Sequence, residues 1–311
     1  MKERKPLVSY VLTAYNIEQF IEEAVKCAFA QTYSPLEIVL SDDCSSDHTF
    51  EIMKNMAAAY AGPHTVKLNR NEKNLGITAH MNKAYLELAS GEIIIAAHGD
   101  DVSSPDRTQI SCNFLAEHKN ITAVSLSMKS MDQSGRLNGT DDCCVKEVRD
   151  YDFFENPGNV PAPSRAFYKK VMTTFGPLND DCPTEDEIIT YRALMLGRNA
   201  FLPQIGVYYR KHAASSSNPE NFAKFPLEKI MKQQIDDMTR SVDLKLISQQ
   251  FMDERIKALR IGVARRNLFR KYYADRSFGN LWQLLTSDMY SLRSKLYYIR
   301  IHIRHKWEEL L

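Results

Sequence analysis

A chain of 311 residues, 44% hydrophobic and 25% charged, can bury a full core and still leave room for a smaller extension, which excludes a disordered polypeptide. Its formal net charge of +1 argues against a nucleic-acid partner. The balance is uneven, however: thirteen Lys and Arg face four acids between Arg255 and Leu311, so an anionic partner is expected at that end.

The six cysteines, Cys27, Cys44, Cys112, Cys143, Cys144 and Cys182, show no CxxC pair and no framework spacing, which suits reduced thiols in a cytoplasm. The charged N-terminal start is followed by a short apolar run broken by Thr13 and Asn16, so no signal peptide is expected. No apolar stretch approaches the roughly 20 residues that span a bilayer. A cytoplasmic protein, soluble or peripheral at the inner membrane face, is the expectation.

In chain order, Leu7 to Thr13 is β-branched and apolar and predicts a strand; Asn16 then predicts a cap for a helix reaching about Gln31. Leu36 to Leu40 predicts a second strand ending in Ser41-Asp42-Asp43, and a helix follows over about 47–60. After a short strand at Val66 to Leu68, a helix from about Ile77 to Ala89 stops at Ser90-Gly91 and leads into a strand over 92–97. A helix from Pro105 to about His118 and a strand from Ile121 to Met128 continue the alternation, which predicts a parallel sheet covered on both faces. Residues 129–163 read as a loop-rich insertion. A helix over about 185–196 and an extended segment from Asn199 to Tyr209 close this part.

Beyond residue 217 the chain turns to long, glycine-poor helices, so residues 1–217 and 218–311 are expected to form an α/β domain and a helical extension. In the last helix Leu292, Leu296, Ile299, Ile303, Trp307 and Leu310 recur at three- and four-residue steps, with Arg293, Arg300 and Arg304 beside them. That basic amphipathic helix suits packing on its own domain, homo-oligomer contact with a second subunit, or peripheral membrane contact with anionic headgroups.

The candidate chemistry lies in three acidic pairs, Asp42-Asp43, Asp100-Asp101 and Glu185-Asp186, of which the first two close predicted strands. The carboxyl ends of strands form the ligand crevice of an open α/β sheet. No GxGxxG follows the first strand and no GxxxxGK[ST] occurs, so any nucleotide must be held differently. Carboxylates can do this by binding a ribose or a uracil imide and by recruiting a divalent cation that grips a diphosphate. Read singly, each pair also suits helix capping, most of all Thr184-Glu185-Asp186-Glu187.

Taken together, Thr13-Ala14-Tyr15-Asn16, Asp42-Asp43-Cys44-Ser45, Asn74-Leu75-Gly76, His98-Gly99-Asp100-Asp101, Glu185-Asp186 with Arg192, and Tyr208-Tyr209-Arg210-Lys211-His212 resemble the family 2 glycosyltransferases over about residues 6–215. The resemblance implies a GT-A fold, a Rossmann-like, mostly parallel α/β sheet with helices on both faces. It also implies an inverting enzyme that uses a nucleotide-sugar donor, a UDP-sugar above all, and a divalent cation, Mn²⁺ or Mg²⁺. The acceptor it implies is a glycan or a lipid-linked saccharide of cell-surface polysaccharide. By position, Thr13, Tyr15, Asp42, Asp43 and Asn74 match its nucleotide-binding segments, and Asp100 its metal and diphosphate ligand. Asp186 matches the acceptor-activating base with Glu185 beside it, and Arg210 and His212 match the segment that closes over the diphosphate. This chain departs from the pattern in carrying His98 where the first Asp of DxD is usual, so metal ligation falls to Asp100 with Asp101 or His98. Ala14 and Cys44 likewise replace a common Pro and Gly. A catalytically impaired nucleotide-sugar binder of the same fold is the alternative.

Overall fold

The computed structural model describes residues 4–138, 143–151, 161–212 and 226–310, with side chains through residue 304. The chain divides into two compact units, residues 1–218 and 219–311. The boundary expected after residue 217 falls outside the described residues.

The first unit is built on a nine-stranded sheet. Its strands are β1 (Val8–Ala14), β2 (Leu36–Asp42), β3 (Thr65–Arg70), β4 (Ile93–His98), β5 (Val102–Ser103), β6 (Ile121–Met131), β7 (Arg149–Tyr151), β8 (Arg165–Tyr168) and β9 (Arg198–Arg210). They run in the order β3-β2-β1-β4-β8-β6-β9-β5, with β7 paired to β9. β1, β2, β3 and β4 are mutually parallel, and β6 is parallel to β9. The sheet is nonetheless mixed: β8 runs antiparallel between β4 and β6, and β5 and β7 run antiparallel to β9. The alternation predicts a parallel sheet and the resemblance a mostly parallel one; the antiparallel β8, only four residues long and following the irregular segment, carries too little pattern to announce itself.

Every residue of β1 and β2 is buried, as strands covered on both faces require. That burial includes Glu37, whose charge is met by the Ser9 hydroxyl, the Ser90 and Gly91 N–H groups and Lys67 Nζ at 2.9 Å. The core of Val8, Tyr10, Leu12, Ile38, Leu40, Ile93 and Ile95 is closed on its outer face by Ile21, Val25 and Met53 from the flanking helices.

Those helices are α1 (Ile21–Phe29), α2 (Thr49–Ala59), α3 (Ile77–Asn82), α4 (Arg107–Glu117), α5 (Lys170–Thr173) and α6 (Asp186–Leu196). Two differ from expectation. Asn16 does not cap α1: it sits at φ +51° and its Oδ1 accepts the Ser46 N–H at 2.8 Å, while Ile17 and Glu18 N–H donate to Thr49 Oγ1 and Asp47. Residues 16–20 are thereby spent on stitching two loops together, and the helix begins only at Ile21. The helix expected over 77–89 changes at Lys83 into a π-helical stretch, Lys83–Leu88.

The second unit contains α7 (Leu227–Asp243), α8 (Gln249–Ala274), α9 (Phe278–Thr286) and α10 (Leu292–Leu310). Ser248 and Ser277 cap α8 and α9 through their side-chain oxygens. Tyr272, Leu281, Leu284 and Tyr290 form a core that takes Tyr298 from α10. Among the described residues no helix is long and apolar enough to cross a membrane.

Candidate functional site

Register brings the first two acidic pairs together. Ala14 pairs with Asp42 across β1 and β2, and Thr13 pairs with His98 across β1 and β4, so the acids emerge side by side at the carboxyl edge of the sheet. A Cβ at Gly99 would lie 2.5 Å from Ile17 Cδ1 and 2.8 Å from Ile21 Cδ1, so those two side-chain ends pack directly over this turn.

Asp42 and Asp43 are both buried and both organise their own loop. Asp42 accepts the Ser45 N–H at 2.9 Å and the Ser45 hydroxyl, with Arg70 Nε at 3.6 Å. Asp43 accepts Asn71 Nδ2 at 2.8 Å and the N–H groups of Leu75 and Gly76 at 2.9 and 3.0 Å. The Gly76 N–H is shared with Asn74 Oδ1 at 2.8 Å, and Gly76 holds φ +80° just before α3. Asn74 and Tyr15 stand exposed at the rim, whereas Thr13 is buried.

Behind them lies a polar chain that the sequence did not reveal. His80 Nε2 meets Ser41 Oγ at 2.7 Å, Asn69 Nδ2 donates to Ser41 Oγ and Asn71 Oδ1, and Lys83 Nζ donates to Asn71 Oδ1 at 2.9 Å. Burial lowers the pKa of His80, which outweighs the charges of Asp43 and Asp42 that act to raise it. A His and a Lys four and seven residues past the Gly76 turn were the available signal.

At the end of β4, ligand atoms of His98, Asp100 and Asp101 lie within 4.8 Å of one another. Asp101 Oδ1 accepts the Arg210 backbone N–H at 2.9 Å, and its Oδ2 is buried without a hydrogen-bond partner. Burial, and then the charge of Asp100, push the Asp101 carboxyl well above the usual range. Burial also acts to raise Asp100, but the hydrogen bond with His212 and the charges of His98 and His212 hold it below. Two carboxylates, one with an orphaned oxygen, and an imidazole form a donor set that fits a divalent cation of the Mn²⁺ or Mg²⁺ type.

Arg210 and His212, at the end of β9, play different parts. Arg210 is buried: Nη2 pairs with Glu23 at 2.5 Å, Nε donates to the Asp100 carbonyl at 2.9 Å, and the guanidinium lies 4.9 Å from the Phe20 ring centroid. His212 instead points its Nε2 at Asp100 Oδ2, 3.0 Å away. Arg210 therefore ties the strand end to Asp100 and Asp101 through backbone N–H and carbonyl contacts, and His212 sets its ring against the Asp100 carboxylate.

The segment leading to the third pair is docked against α3. Thr78 Oγ1 donates to the Cys182 carbonyl, and Asn82 bonds both the carbonyl and N–H of Leu178 at 2.8 Å. Glu185 precedes α6 and is buried, whereas Asp186, its first residue, is half-buried. Burial first, and then the charge and hydrogen bond of Asp186, push Glu185 well above the usual carboxylate range. Arg192 is a structural cation, donating to the Gly176 carbonyl at 2.7 Å and lying over Phe175.

The sequence model described as Glycosyl transferase family 2 matches residues 9–169. EpsE of Bacillus subtilis, named as a glycosyltransferase, is 34% identical over 130 residues, covering 42% of this chain and 46% of EpsE. TuaG of the same organism, named as a teichuronic acid biosynthesis glycosyltransferase, is 32% identical over 117 residues, covering 38% of this chain and 45% of TuaG. The chain thus spans about half the length of each relative. Crystalline S. aureus TarS 1–349 with UDP-GlcNAc superposes with a TM-score of 0.65 at 19% identity, over 89% of this chain and 78% of that one. The likeness to TarS is one of fold, and the fold is the GT-A α/β sheet followed by a C-terminal helical region.

Proposed function

This chain belongs to glycosyl transferase family 2, and on that premise we propose that it is a glycosyltransferase that moves a sugar from a nucleotide diphosphate, a UDP-sugar, to a hydroxyl of a glycan or lipid-linked saccharide, with inversion at the anomeric carbon. The observation that carries this reading is the cluster of His98, Asp100 and Asp101 beside the Asp42-Asp43 turn at one sheet edge.

In this reading the β2 turn, with Thr13, Tyr15 and Asn74 at its edge, receives the nucleoside. Asp100, with His98, Asp101 and His212 around it, holds the diphosphate end. A divalent cation there would neutralise charge on the departing diphosphate. Asp186 takes the proton from the acceptor hydroxyl as its oxygen bonds to C1. The C1–O bond to the diphosphate breaks on the opposite face, and the electron pair leaves with the nucleotide. Burial holds the Glu185 carboxyl above the usual range, and Asp186 is the half-buried member of the pair that an acceptor can reach.

A place in cell-surface polysaccharide synthesis, at the cytoplasmic face of a membrane, is supported by α10. Tyr298 turns into the core of the second unit, whereas Leu292, Leu296 and Ile303 stand 74%, 59% and 53% exposed. Arg293, Arg300 and Arg304 occupy the adjacent row, an arrangement suited to anionic headgroups above an apolar surface. Lys295 flanks the stripe on its other side, so pairing of two copies along it would set like charges together.

The test is UDP release from a panel of UDP-sugars with Mn²⁺. Release that needs the cation and disappears in Asp100→Ala is expected. Binding with no release, across the panel and a broad set of acceptors, would instead identify a catalytically impaired nucleotide-sugar binder.

A further inference from the structure

The cation that ends β9 is held by an acid to which the transfer chemistry assigns no task. Arg210 reaches the metal loop at two points: its backbone N–H donates to Asp101 Oδ1 and its Nε to the Asp100 carbonyl, each at 2.9 Å. Its Nη1 donates to the Gln133 carbonyl at 3.1 Å, and the guanidinium lies over the Phe20 ring. Those partners of the guanidinium are neutral, and the side chain is only 3% exposed. A guanidinium stays protonated inside a protein, so a buried one demands a countercharge.

Glu23 supplies it. From the first turn of α1 its Oε2 accepts Arg210 Nη2 at 2.5 Å, a charge-assisted hydrogen bond. The Glu23 side chain is itself 56% exposed, and an acid in a first helical turn is ordinarily no more than a complement to the helix dipole. Its neighbour Glu22 shows that ordinary case, pairing with Lys26 one turn on at 2.6 Å with both side chains in solvent. Glu23 differs in that its partner is buried and bonded to the loop that carries Asp100 and Asp101.

We propose that Glu23 is a positioning residue for the cation site: by holding the Arg210 guanidinium it fixes the Asp100 carbonyl and the Asp101 carboxylate, and so sets the spacing of the donor atoms that His98, Asp100 and Asp101 present to a divalent cation. The inference rests on the reading of that cluster as a cation site. Glu23 acts through Arg210, so its loss weakens metal binding by about tenfold, the low end of what outer partners of metal ligands contribute. A purely structural ion pair would move the unfolding midpoint and leave the metal affinity of the folded protein where it was.

The experiment measures Mn²⁺ binding to the full chain, with UDP present, from the electron paramagnetic resonance signal of free Mn²⁺, each variant being checked as folded by circular dichroism. Glu23→Ala is expected to raise the Mn²⁺ Kd about tenfold. Glu23→Gln, which exchanges the charge-assisted bond for a neutral one about half as strong, should fall between Glu23→Ala and the wild type. Glu22→Ala removes the same charge from the same helical turn and should bind Mn²⁺ as the wild type does. If Glu23→Ala does not fold, Glu23→Gln carries the test. Wild-type affinity in folded Glu23→Ala, or in Glu23→Gln where that variant stands alone, overturns the role of Glu23, as does an equal loss in Glu22→Ala. A wild type that binds no Mn²⁺ with UDP present removes the cation reading and the inference with it; a wild type that binds, beside a Glu23→Ala that binds equally well, removes the inference alone.

Discussion

His212 Nε2 lies 3.0 Å from Asp100 Oδ2, so the residue two positions past the end of β9 touches the one two positions past the end of β4. That contact joins the family segment expected to close over a diphosphate to the carboxylate expected to hold the metal. His212→Ala should therefore raise the Mn²⁺ concentration needed for half-maximal UDP release by about tenfold, as loss of a group orienting a ligand does. Equal Mn²⁺ dependence in variant and wild type would detach His212 from the cluster.

Asp43 is a second point where structure and the proposed nucleotide binding share one side chain. Its carboxylate accepts three N–H groups, two of them backbone donors that set the entry to α3. Asn in its place turns an NH₂ toward at least one of those donors. Asp43→Asn should cost about 1–3 kcal/mol in denaturant unfolding and weaken UDP binding measured by calorimetry. Wild-type values for both would show that the turn is held by other contacts.

Glu37 offers a pH test remote from the site. Burial acts to raise its pKa, but the hydrogen bonds from Ser9, Lys67 and Ser90 outweigh it and the carboxyl ends below its ordinary 4.5. A depressed carboxyl contributes stability that is complete above the unfolded-state value and is lost as pH falls through the folded one. Glu37→Gln should destabilise the protein by about 1–3 kcal/mol at neutral pH, and the gap should close as the pH drops below about 4. A gap independent of pH would contradict the ionised assignment.

The apolar row of α10 is tested by flotation of the full chain with phosphatidylcholine vesicles, with and without phosphatidylglycerol. Wild type should float only with the anionic lipid, and Leu296→Glu should stay in the soluble fraction. Equal flotation of both proteins would dismiss this helix face as the contact.

What could be read from the chain alone follows from how locally each feature is encoded. Asp42, Asp43, Asp100 and Asp101 close runs of buried β-branched residues, and such runs end where the sheet edge begins. The α3 turn announced itself through Asn74-Leu75-Gly76. Arg210, by contrast, carries no local mark of its burial because its partner Glu23 lies 187 residues away, on a helix that looks merely acidic at its start. Arg165 was hidden in the same way: a cation in a four-residue strand after an irregular segment carries no local mark of its burial, and its partner Thr190 meets it only once β8 inserts between β4 and β6. The late start of α1 was illegible because the loop hydrogen bonds of Asn16 and Asp47 compete with helix formation in a way visible only when both loops are in place.

In the proposed transfer Asp186 takes the acceptor proton, and the direct measurement is Asp186→Asn, with donor affinity and turnover determined on the same preparation. Turnover lower by about 10²-fold or more, as loss of a general base entails, with UDP-sugar affinity in Mn²⁺ unchanged, is the predicted result. Turnover near that of the wild type would contradict it.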